Sequence, residues 1–184
     1  MASWALVTGA TAGIGESFTR LLAENNYNLV LVARDVSRLQ ERASQLQSQF
    51  NVQTHIIQAD LSTDAGCAAV EQYIASNQID VLINNAGFGI NKAFTMSELK
   101  AEQEMFDVLV RTPMRLMHII LPGMKQRNKG VVINVSSVAG YIAGGSYSAA
   151  KSYLTVISES LHTELTGTNV KISALCPGFT RTEF

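Results

Sequence analysis

Tyr147 and Lys151 stand four residues apart in the run Tyr147-Ser148-Ala149-Ala150-Lys151. On a helix that spacing puts both on one face, with the ammonium near the phenol oxygen. A tyrosine ordinarily ionises near ~10, and a nearby positive charge favours the phenolate, which brings the group toward use as an acid or base. Proton transfer by such a group contributes on the order of 10²–10⁴-fold in rate. Upstream, Ser136-Ser137 closes an apolar run and supplies a hydroxyl. Taken alone, Tyr147 and Lys151 read better as a surface pair on one helix, since this spacing arises often by chance, and the serines read reasonably as a pair ending a strand. What surrounds them decides.

A second constellation lies at the other end of the chain, in Thr8-Gly9-Ala10-Thr11-Ala12-Gly13-Ile14-Gly15. Gly9 permits a tight turn out of a strand, Gly13 lets backbone approach a pyrophosphate, and Gly15 allows close packing of helix on strand. The helix that follows then turns free N–H groups toward an anion. An ordinary strand-to-helix turn is the plainer reading, but the required context of strand before and helix after is met on both sides.

These two sites need elements to hold them. Short apolar runs alternate with amphipathic stretches along the whole sequence, the signature of βαβ units feeding a parallel sheet covered on both faces. The predicted strands are Ala5–Thr8, Leu29–Ala33, Gln53–Gln58, Val81–Asn84, Val131–Ser136 and Lys171–Leu175, six strands with five crossovers. The fourth crossover, Asn85 to about Gly130, is long; it should open as a loop through Gly87–Thr95 before a helix capped by Ser97. With no linker and no repeat, the expectation is a single doubly wound α/β domain, Rossmann-like, over residues 1–184.

Four motifs occur in order: the G-x-x-x-G-x-G turn, Asn84-Asn85-Ala86-Gly87 after the fourth strand, Tyr147 and Lys151 in a later helix, and Cys176-Pro177-Gly178 after the sixth strand. With them the sequence resembles the short-chain dehydrogenase/reductase family over essentially its whole length. The resemblance implies that Tyr147 exchanges a proton with the substrate oxygen while hydride passes between nicotinamide and carbon. It implies that Lys151 also holds the nicotinamide ribose, and that a serine orients the substrate oxygen, Ser137 first and Ser136 as the alternative. The cofactor-binding set that it implies is Gly9, Thr11, Gly13, Ile14, Gly15, Arg34, Asp60, Leu61, Asn85, Ala86, Gly87, Tyr147, Lys151, Pro177, Gly178 and Thr180. Asp60 also reads as a turn or cap residue before Ser62-Thr63.

The residue just past the second strand meets the adenosine ribose, where an acid suits a 2′-hydroxyl and an arginine a 2′-phosphate. Arg34 stands there and Ala33 precedes it, so NADP is expected, with NAD possible because Asp35 is a competing carboxylate. Arg38 reads as a helper or as helix surface.

Composition narrows the rest. Fourteen Lys plus Arg against fifteen Asp plus Glu give a net charge of −1, leaving no positive field for nucleic acid. No apolar run reaches membrane-spanning length. Cys67 and Cys176 form no metal or disulfide pattern, and His55, His118 and His162 are isolated, so no metal site is expected and a reducing, cytoplasmic setting is. The expected partner is a small carbonyl or alcohol substrate. The methionine-rich face of the fourth helix (Met105, Met114, Met117, Met124) should be mostly core, with an excess facing a second copy in a homo-oligomer.

The sequence departs from the family in two places. Leu109 occupies the position where family members commonly carry an asparagine that helps hold a water linked to the lysine; leucine can neither donate nor accept a hydrogen bond. The chain also ends at Phe184, before the family's usual further helix and seventh strand. Both features keep alternatives open: a non-catalytic dinucleotide-binding or interaction protein, or a truncated inactive member.

Overall fold

The structure is a computed structural model that describes residues 3–180. Six strands form one parallel sheet: β1 (Trp4–Thr8), β2 (Asn28–Ala33), β3 (Thr54–Gln58), β4 (Val81–Asn84), β5 (Gly130–Val135) and β6 (Val170–Leu175). They lie in the order β3-β2-β1-β4-β5-β6. Each falls within a residue of its predicted bounds.

Alternation along the central strands feeds two cores. In β1, Leu6 joins Val30, Val32, Leu82 and Val132 on one face, while Ala5 and Val7 join Leu29, Leu31, Val81 and Ile83 on the other. Helices α1 (Gly13–Glu24) and α2 (Val36–Phe50) cover the second face through Ala23, Leu39, Ala43 and Leu46. Helices α3 (Asp64–Ser76) and α5 (Thr112–Arg127) cover the first through Cys67, Val70, Leu116 and Met117. On the same face lies α6 (Gly145–Glu164), packed through Ile157 and Leu161. Strand β6 departs from the two-sided burial of the centre: Val170 and Ile172 are buried, whereas Lys171, Ser173 and Leu175 alternate with them at lower burial.

Local chemistry starts and stops these helices. Asp35 caps α2 by accepting from the Arg38 N–H, and Thr63 caps α3 by accepting from the Gly66 N–H. Asn51 and Asn128 end α2 and α5 in the left-handed conformation that asparagine tolerates.

The long crossover is less regular than a single capped helix. A 3₁₀ turn (Phe94–Met96) leads into α4 (Leu99–Phe106), which runs through one π-turn (Asp107–Arg111) into α5. The helix cap is Glu98; the Ser97 hydroxyl instead bonds the Phe94 carbonyl and Glu102. Met105, Met117 and Met124 are core, and Met114 stands exposed.

The strand order reverses between β1 and β4. The chain leaves β1 toward α1 on one face and leaves β4 toward α4 and α5 on the other, so the loops after these strands diverge at the carboxyl edge. In open α/β sheets ligands bind in that crevice.

Candidate active site

The glycine turn occupies this crevice. Gly9 and Gly13 have φ of 66° and 55°, which only glycine adopts freely. Gly15 is needed for a different reason: a Cβ there would meet the Gly9 carbonyl oxygen at 2.0 Å. At the start of α1, Ala12 provides no side-chain cap, so its first N–H groups face outward in the manner that receives phosphate. Behind the turn, the Asn85 amide donates to the carbonyls of Thr8 (3.0 Å) and Gly9 (3.1 Å). The Thr8 hydroxyl accepts from the N–H groups of Asn85 and Ala86. Asn85 thus braces the turn. A cradle that no side chain fills, ending at an uncapped helix, fits the pyrophosphate of a dinucleotide.

Beside it lies a cleft of about 150 Å³ whose lining includes Gly9, Arg34, Asp60, Leu61, Ala86 and Gly87. Six of the predicted cofactor residues are therefore brought to one cavity. Asp60 acts as the turn residue that one of its readings gives. Its carboxylate accepts from the Ser62 N–H and hydroxyl, which hold it below the usual carboxylate range with help from the Arg34 charge, and it also borders the cleft. The Leu61 side chain belongs to the core. Arg38 donates to the Thr11 carbonyl at 3.1 Å, which directs it to the glycine turn. Phe88, Glu104 and Val108 also line the cleft. Phe88 could have been found from its place directly after Gly87, but nothing in the sequence marks Glu104 or Val108.

Tyr147 and Lys151 both come from the first half of α6. The Lys151 side chain is buried and its ammonium donates to the Val135 carbonyl at 2.7 Å. Burial lowers its pKa from 10.5 to about 8, opposed in part by the neighbouring Cys176. The ammonium lies 5.6 Å from the centre of the Tyr147 ring. Burial pushes the Tyr147 phenol up, while its hydrogen bond with Ser137 works downward. The Lys151 ammonium is turned to Val135, and desolvation is the larger influence on the phenol.

The serine pair is resolved by its partners. The Ser136 hydroxyl is buried and bonded to the Lys151 carbonyl at 2.7 Å and to Thr155 at 2.8 Å. Ser137 accepts from the Ala139 N–H and bonds Tyr147, so of the two serines it is the one facing the phenol. The segment between Ser137 and Tyr147 makes its compact bend through a 3₁₀ turn, Val138–Tyr141.

Leu109 lies in the π-turn, fully buried, in one cluster with Met105, Ala150, Phe88 and Tyr147. A Cβ on Gly87 would meet its Cδ2 at 2.7 Å and the Lys151 ammonium at 3.9 Å. An apolar group thus stands near the lysine where the resemblance implies an amide. Past β6, the Pro177 carbonyl accepts from the Val138 N–H. Gly178 and Thr180 are solvent-exposed: a Cβ at 178 would meet nothing within 4 Å.

Topology and glycine turn define a doubly wound α/β protein with a ligand crevice at the reversal of strand order. The chain belongs to the short chain dehydrogenase family, whose pattern it matches over residues 3–184. It is 30% identical over 190 residues to a very-long-chain 3-oxoacyl-CoA reductase of Rattus norvegicus, covering 100% of this chain and 61% of that protein. It superposes on a short-chain dehydrogenase from Sphingobium yanoikuyae in complex with NADPH with a TM-score of 0.96 and 32% identity, over 98% of this chain and 72% of that one. A bulky-bulky ketone specific alcohol dehydrogenase from Comamonas testosteroni superposes with a TM-score of 0.94 and 33% identity, over 97% and 74% of the two chains.

Proposed function

We propose that this chain carries the cofactor and proton-transfer sites of an NADP(H)-dependent oxidoreductase that interconverts a carbonyl compound and an alcohol. The observation that carries the reading is the meeting of Ser137, Tyr147 and Lys151 at the end of β5, beside a crevice shaped for a dinucleotide. When bound, NADPH supplies the hydride that adds to the carbonyl carbon. Tyr147, kept protonated by burial, donates its phenol proton to the carbonyl oxygen, so ketone, hydride and proton balance to alcohol. Ser137 directs its hydroxyl at the same oxygen and holds Tyr147 in line. Lys151 supplies positive charge behind the phenol as the proton leaves, and it would also hold the nicotinamide ribose.

Support for NADP over NAD comes from Arg34 on the cleft and from Asp35, whose carboxylate is committed to the α2 N-terminus. The NADPH-bound relative from Sphingobium yanoikuyae agrees with this. Val138, Tyr141 and Ile142 are exposed immediately after Ser137, which suits a substrate with apolar groups flanking its carbonyl.

Replacing Tyr147 by phenylalanine tests the reading. Tyr147→Phe should lose turnover of carbonyl substrates by on the order of 10²–10⁴-fold while nucleotide affinity stays within a small factor of the parent. A variant that retained the parent rate would remove Tyr147 from the chemistry.

A further inference from the structure

The end of β5 holds more of Lys151 than its ammonium. Three consecutive residues each grip α6 at the site: the Val135 carbonyl takes the Lys151 ammonium (2.7 Å), the Ser136 hydroxyl takes the Lys151 carbonyl (2.7 Å), and Ser137 bonds Tyr147. We infer that Ser136 is a positioning residue that fixes Lys151 by its backbone, so that strand β5 sets the depth at which the lysine enters the site.

The Ser136 hydroxyl donates to the Lys151 carbonyl at 2.7 Å and meets the Thr155 hydroxyl at 2.8 Å, and Thr155 reaches the same carbonyl at the longer distance of 3.2 Å. Ser136, Thr155 and Lys151 are all buried, so little water competes for these bonds, and the Ser136 bond is the shorter of the two side-chain bonds to that carbonyl. A second contact limits the same peptide from the other side. Gly140, in the 3₁₀ turn, lies so close that a Cβ there would stand 3.0 Å from the Lys151 carbonyl carbon and from the Ser152 nitrogen. Lys151 is thus held between a hydroxyl on the strand and a bare glycine in the turn. The polar groups Asn134 and Ser158 continue the contact one turn further along α6 at 2.8 Å, which makes the seam between β5 and α6 polar and directional where apolar packing would allow sliding.

This inference rests on the proposed chemistry only for its kinetic arm. Ser136→Ala should lower kcat by roughly 10–10²-fold, as expected when a reacting group is misplaced by a fraction of its length, with KM and NADPH affinity little changed. Ser136→Thr, which restores the hydroxyl, should recover most of the loss. Independently of turnover, the acetylation rate of Lys151 by a water-soluble N-hydroxysuccinimide ester should rise several-fold in Ser136→Ala, read by mass spectrometry against the exposed Lys92 and Lys171 as internal controls. Gly140→Ala, which removes no hydrogen-bonding group, should give the same two signatures and stands in if Ser136→Ala does not fold. Unchanged Lys151 acetylation in folded Ser136→Ala would overturn the inference, as would an unchanged kcat in an active protein. If the parent chain turns over no carbonyl compound, the proposed function fails, and the acetylation arm still decides the positioning role.

Discussion

At the scale of single residues the site turns on what burial does to two ionisable groups. Lys151 in the folded chain has a pKa of about 8 against an ordinary 10.5, so between these values the folded protein binds fewer protons than the unfolded chain. Stability then rises with pH through that window, because the cost of burying the ammonium is fully present below pH 8 and is relieved above it. Thermal denaturation should show the parent gaining stability relative to Lys151→Met as pH goes from about 8 to about 10; parallel curves would show that Lys151 is not desolvated. The identities of Tyr147 and Lys151 are legible in the sequence because a spacing of four on a helix is local information. The state of the phenol is not, since it depends on desolvation by residues distant in sequence. Nor is the acceptor of the lysine proton, which is the backbone of Val135 and could be any residue type. The two serines show the same limit: adjacent and chemically alike, they separate only when α6 is packed against β5.

At the scale of elements the π-turn at Asp107–Arg111 matters most. It changes the phase between α4 and α5, and it buries Leu109 against Gly87 and beside Tyr147. The extra residue in that turn is invisible to helical periodicity, which reads 97–127 as one regular segment. An ion pair from Arg111 to Asp64 ties the turn to α3, another contact that no local pattern announces. The consequence for chemistry is testable at the same place. Leu109→Asn should raise the chemical rate by supplying a hydrogen-bonding group near Lys151, and should lower stability by about 1–3 kcal/mol because an amide replaces a fully buried leucine. Chemistry-limited kinetics with thermal denaturation would check both; an unchanged rate would mean that Leu109 does not limit proton movement.

At the scale of the molecule, the strands and their order follow from patterning that the sequence displays openly. Parallel strands buried on both faces must be apolar runs, and short runs between amphipathic helices leave few topologies. β1 with its three fully buried residues is such a case. The pairing of β1 with β4, which opens the crevice, came with the fold class and not from any residue. The dinucleotide turn was readable because glycine is demanded there by backbone geometry, at Gly9 by φ and at Gly15 by contact. Gly178 and Thr180, implied at the cofactor by the resemblance, are both solvent-exposed beyond β6. Among the described residues no helix is long and apolar enough to cross a membrane. The turn, the cleft and Arg34 are proposed to make one NADP(H) site, and a fluorescence titration of the 184-residue chain with NADPH and with NADH tests this without a substrate. The account predicts saturable NADPH binding, with NADH weaker by roughly 10–10²-fold, the worth of charge-assisted bonds to a 2′-phosphate. Binding of neither nucleotide, or tighter binding of NADH, would contradict it.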